Sequence, residues 1–65
     1  MKTELLNNDG FRIFAYLEPA NDPDGYQMLK ITTQWDNARN PEDEQVKLNL
    51  ILSPDALNNL RTLIN

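Results

Sequence analysis

Apolar and polar residues alternate through three stretches of this chain. From Phe11 to Glu18, the set Phe11, Ile13, Ala15 and Leu17 interleaves with Arg12, Phe14, Tyr16 and Glu18. From about Tyr26 to Trp35, Leu29, Ile31, Thr33 and Trp35 alternate with Tyr26, Met28, Lys30, Thr32 and Gln34. From about Gln45 to Leu52, Val46, Leu48, Leu50 and Leu52 share one parity, and Ile51 takes the other with Lys47 and Asn49. A period of two sends successive side chains to opposite faces, so each stretch predicts a strand.

Directly after the last of these the period changes. Ala56, Leu57, Leu60, Leu63 and Ile64 follow the i, i+3, i+4, i+7 spacing of one helical stripe, which predicts a helix from about Pro54 to Ile64. Ser53 suits the N-cap, Pro54 the first helical position, and Asp55 the positive end of the helix dipole. So short a helix barely forms alone, so it is expected to dock on the face lined by Val46, Leu48, Leu50 and Leu52.

Asn8-Asp9-Gly10 is a hairpin signal, because Asp and Gly tolerate the positive φ of tight turns. It pairs a first strand, Thr3 to Leu6, with the Phe11 strand. A two-residue turn at Asp9-Gly10 sets Leu6 opposite Ile13, whereas a three-residue turn with a bulge sets Leu5 there and exchanges the faces. The sequence leaves both registers open. Pro19–Gly25 and Asp36–Glu44 are polar, turn-rich connections, too short for a crossover helix. The expected fold is α+β: an antiparallel meander of four strands, at least three, with one C-terminal helix packed on one face, β-β-β-β-α. Residues 1–65 make one small domain.

Composition narrows the rest. A chain of 65 residues buries only about 60% of its unfolded surface. It has no cysteine for a disulfide and no His or Cys for a structural zinc, so packing or self-association must supply stability. Six Lys and Arg against ten Asp and Glu give a net charge of −4, which disfavours nucleic acid as a partner. No apolar run approaches the roughly 20 residues of a membrane span, and the N-terminus lacks the apolar segment of a signal peptide. A cytoplasmic protein without a membrane partner is the expectation.

The catalytic inventory is thin. Without His or Cys, and with Ser53 as the only serine, no Ser-His or Cys-His nucleophile can be assembled within the chain. Ser53 is already explained as a cap. A non-enzyme is expected, with no cofactor and no metal. Asn21-Asp22-Pro23-Asp24-Gly25 imitates part of a calcium loop, but the first and twelfth ligand positions fall on Ala20 and Ile31. It reads as an acidic turn. Trp35 belongs by parity to the helix-covered face, where it closes the end of the core.

The face away from the helix is the sharper clue. It collects Phe14, Tyr16, Tyr26, Met28 and Ile51, ringed by Arg12, Glu18, Lys30, Lys47 and Asn49. Aromatic and Met enrichment with Arg is the composition of protein interfaces. The leading expectation is a small protein-interaction module, a regulator or inhibitor of a larger protein of unspecified identity. The same face is a candidate homodimer surface. Phe14, Tyr16, Tyr26, Met28, Ile51, Arg12, Lys30 and Lys47 are then the partner-binding residues. The alternative is an acidic inhibitor of phosphate-mimic type, the strategy of small mobile-element proteins. It would occupy a nucleic-acid-binding site through Asp22, Asp24, Asp36, Glu42, Asp43 and Glu44. A third reading stacks single-stranded nucleic acid on the aromatic face.

Overall fold

A computed structural model of residues 1–65 shows one open antiparallel sheet followed by one helix. The strands are β1 (Lys2–Asn8), β2 (Phe11–Pro19), β3 (Gln27–Trp35) and β4 (Gln45–Leu52), in the order β1-β2-β3-β4, and α1 spans Pro54–Ile64. This is the β-β-β-β-α meander that the alternation predicts. No helix is long and apolar enough to cross a membrane.

The first hairpin uses the two-residue turn. Asp9 has φ 49° and Gly10 φ 88°, and Asn8 pairs with Phe11 on either side of them. Leu6 accordingly opposes Ile13. Beyond Leu6 the ladder slips by one residue at Leu5, so that Glu4 faces Phe14 and Thr3 faces Ala15. Of the two registers left open, the two-residue turn is the one formed; the bulge at Leu5 is a separate irregularity farther along the strand.

A second bulge interrupts β4. Ile31 pairs with Leu48, but Thr32 pairs with Val46, which leaves Lys47 without an opposite number. One extra residue reverses parity for everything beyond it. Val46 therefore stands on the face of Thr32, not with Leu48, Leu50 and Leu52 as plain alternation implies. The reading of Lys47 changes as well. It occupies the bulge, and its Nζ donates to Gln45 Oε1 at 3.0 Å instead of joining the aromatic side chains. Gln45 pairs with Thr33, on the Leu48 side of the sheet.

The helix begins as its sequence directs. Ser53 Oγ accepts from the Ala56 amide at 3.1 Å, with Pro54 in the first turn and Asp55 beside it. Its cover of the sheet is less than its apolar stripe suggests. Ser53 alone separates β4 from α1, so the helix starts at the sheet's outer strand and meets the sheet chiefly there. Ala56, Leu57 and Leu60 become half-buried, while Leu63 and Ile64 stay 81% and 75% exposed. Leu48 and Leu50, expected beneath the helix, remain 40% and 44% exposed. Trp35 packs on Phe11, with ring centroids 4.6 Å apart, yet is itself half-exposed and closes no core. No hydrophobic residue of the chain is fully buried.

Candidate interaction surface

The two faces of the sheet differ in chemistry because the register sorts charge. Lys2 pairs with Tyr16, Tyr16 with Lys30, and Lys30 with Asn49, giving one transverse row across all four strands. The row brings two ammonium groups to one ring. Lys30 Nζ lies 4.4 Å and Lys2 Nζ 5.1 Å from the Tyr16 centroid, and Lys2 Nζ also sits 4.3 Å above Phe14. Glu44, the last residue before β4, closes the cluster. Its Oε1 accepts from the Tyr16 hydroxyl at 2.5 Å and from Thr32 Oγ1 at 2.6 Å, and its Oε2 pairs with Lys2 Nζ at 3.3 Å. Beneath this cover Thr32 is 2% exposed, the one buried residue of the chain.

These contacts bias protonation. The Thr32 hydroxyl, and after it the Tyr16 hydroxyl, hold the Glu44 carboxyl below the usual carboxylate range, since both donate to its charged form. The Tyr16 hydroxyl, followed by Glu44, holds the Lys2 ammonium above its ordinary value. The polar cluster is thus internally satisfied, and no buried side-chain polar atom lacks a partner.

The residues expected to bind a partner on this face are for the most part in place, but they are not bare. Phe14, Tyr16, Tyr26, Met28, Arg12 and Lys30 are all half-buried. Arg12 is engaged by Gln34 Oε1 at 3.2 Å and by Asp36 Oδ1 at 2.9 Å. Tyr26 sits in the turn before β3, its amide donating to the Pro23 carbonyl. Ile51, opposite Met28, is exposed, as is the relocated Val46. Lys47 is drawn away by the bulge.

The six acidic residues of the alternative surface divide between two connections. Asp22 and Asp24 lie in the β2–β3 connection, whereas Asp36, Glu42, Asp43 and Glu44 lie in the β3–β4 connection. Those connections sit at opposite ends of β3, which at about 3.3 Å per residue spans roughly 30 Å. Asp36 is paired with Arg12, and Glu44 with Lys2. Beside Glu42 and Asp43, a shallow cavity of 160 Å³ opens between Trp35, Arg39, Asp43 and Gln45. No three acidic side chains gather closely enough to hold a metal ion.

The opposite face carries a feature that alternation alone did not single out. Lys2, Glu4, Arg12, Glu18 and Lys30 all register on the Tyr16 side. The other side is left with rows such as Leu17–Leu29–Leu50 and Ala15–Ile31–Leu48. Among the paired strand residues it bears no formal charge. A depression of 80 Å³ between Met1, Thr3, Ala15, Leu17 and Leu29 is walled almost wholly by apolar atoms. The signal was present in the sequence as the leucine parity of the last strand. It reads as core only on the premise that the helix covers it.

Comparison with protein-family models, with curated proteins and with solved structures gives no match.

Proposed function

We propose that this chain is a non-enzymatic protein-interaction module whose contact surface is the charge-poor aliphatic face around Leu29, Leu48 and Leu50. One observation carries the reading: every charge on a paired strand residue sorts to one side, with only the bulged Lys47 reaching the other, where Leu48 and Leu50 stay 40% and 44% exposed. Contiguous exposed apolar surface marks contact sites in folded proteins, and depletion of charge distinguishes the centre of an interface. The lack of His and Cys supports a binding role over catalysis. The aromatic face draws less support as the contact surface, because Glu44, Lys2 and Lys30 already cover Phe14 and Tyr16. The acidic-inhibitor reading draws less as well, with its carboxylates split between two ends of the sheet and two of them in ion pairs.

Leu50 and Ile51 give the test, being adjacent in β4 and both exposed on opposite faces. Affinity capture from an extract of the producing cells should lose its partner with Leu50→Lys and keep it with Ile51→Lys. The reverse pattern would return the contact surface to the aromatic face and overturn the proposal.

A further inference from the structure

We infer that the occupant of the aliphatic face is a second copy of this chain. The inference rests on the preceding reading that this face is the contact surface, and it adds what covers it.

Surface area makes the first argument. A compact folded chain of 7.5 kDa exposes about 4,250 Å². This one exposes 4987 Å², roughly 700 Å² more. A standard protein–protein interface removes about 800 Å² from each partner, so the excess is the size of one side of such a contact. Shape agrees. The Cα radius of gyration is 13.6 Å, against about 11 Å for a compact domain of this length. Cα extents of 38 × 27 × 16 Å describe a slab.

Stability makes the second. Small domains without an adequate core rely on disulfides, a structural metal, cyclisation or oligomerisation. Here no hydrophobic residue is fully buried, cysteine and histidine are absent, and no metal-ligating group of three is assembled. Oligomerisation is the means left to the folded chain. A cover needed for folding itself is met most directly by the chain's own product, always present in equal amount.

Charge makes the third. The molecule carries −4 overall, which sets copies against one another. A face poor in charge lets them meet with the least juxtaposition of like charges. The aliphatic face comes nearest to this, with only the bulged Lys47 reaching it at Gln45, whereas the Tyr16 face carries Lys2, Glu4, Arg12, Glu18 and Lys30. A two-fold axis through the aliphatic face stacks two sheets about 10 Å apart, the spacing of a β-sandwich, and gives each copy the core it lacks.

The test uses the intact chain. Light scattering across a concentration series should give twice 7.5 kDa for the wild type, with a melting temperature that rises with concentration. Because the chain has no cysteine, Leu50→Cys and Ile51→Cys each introduce a unique thiol on a known face. With nine chains in ten dimeric, the Leu50→Cys thiol should alkylate about tenfold more slowly than in dilute solution, while the Ile51→Cys thiol keeps its rate. A chain that is unfolded when dilute and folds as concentration rises is a further supporting result. A monomer with native circular dichroism and cooperative melting at every concentration overturns the dimer and leaves the aliphatic face to the capture experiment. A chain that folds at no concentration on its own also overturns it. A dimer that protects the Ile51→Cys thiol instead overturns both this inference and the reading beneath it.

Discussion

The Tyr16 hydroxyl donates to Glu44 Oε1 at 2.5 Å, tying the middle of β2 to the residue that leads into β4. The same oxygen accepts from Thr32 on β3, so one carboxylate joins three segments of the sheet over its single buried side chain. An arm of the loop thereby does for this face what the helix does not do for the other.

Truncating that arm should be costly. Glu44→Ala leaves the Thr32 hydroxyl, 2% exposed, with no acceptor, and it frees Tyr16 as well. The expected loss is about 2 kcal/mol, within the range for unsatisfied buried polar groups. That corresponds to a fall in melting temperature of roughly 8–16 °C for a domain of this size. Glu44→Gln keeps an acceptor oxygen and should lose less than half as much. Equal losses for the two variants, measured by thermal circular dichroism, would show that the hydrogen bonds to Oε1 contribute little.

The same carboxylate sets an acid-side dependence. Its folded pKa is lowered, first by Thr32 and then by Tyr16, so its contribution is present above the unfolded value and lost as pH falls through the folded one. The stability gap between wild type and Glu44→Gln should stay level from neutrality down to about pH 5 and close below about pH 4, under the ordinary Glu value. Urea titrations at a series of pH values read this directly, and a gap that persists unchanged at the acid end contradicts it.

Ser53 offers a local test of the helix. Ser53→Ala removes the acceptor for the Ala56 amide at 3.1 Å and should cost about 1 kcal/mol. Because the helix meets the sheet chiefly along β4, the helical circular-dichroism signal should fall before the sheet signal does. Coincident loss of both signals would mean that helix and sheet unfold as one unit.

Gly10 tests the turn. Its φ of +88° is costly for an L side chain, and a Cβ there would lie 3.0 Å from Asp36 Oδ2. Gly10→Ala should therefore destabilise by about 1–2 kcal/mol, from backbone strain together with displacement of Asp36 from Arg12. Chemical denaturation measures it. A neutral outcome would imply that the turn relaxes away from positive φ.

Much of the fold was legible in the residues, for reasons that also mark where reading stops. Period-two alternation located β2, β3 and β4, and Ser53-Pro54-Asp55 located the helix start, because each signal is local. The bulge at Lys47 is not local in that sense. Nothing within β4 announces an extra residue, and only pairing with β3 shows Val46 facing Thr32. Glu44 escaped notice as a structural residue for a similar reason, since its partners lie 12, 28 and 42 residues away and it sits in an acidic run that reads as solvated loop. The helix misled in another way. A stripe from Ala56 to Ile64 states which side of the helix is apolar, but the lone Ser53 linker holds that stripe at the sheet's margin and leaves Leu63 and Ile64 bare. The expectation of a contact surface on the aromatic face rested on that premise, and the surface proposed above differs because the helix leaves Leu48 and Leu50 exposed.

The two bulges lie one on each outer strand, Leu5 on β1 and Lys47 on β4. Each interrupts the regular row of amides and carbonyls along a rim of the sheet and sharpens its twist there. A neighbouring chain that tried to add a strand at either rim would meet an uneven template, so lengthening of the sheet into a fibre is obstructed on both sides. The proposed two-fold dimer has no such open end: once its two aliphatic faces meet, neither remains to recruit a third chain. Leu5 and Lys47 thus set an obstacle to growth at both rims of a sheet in which no hydrophobic residue is fully buried.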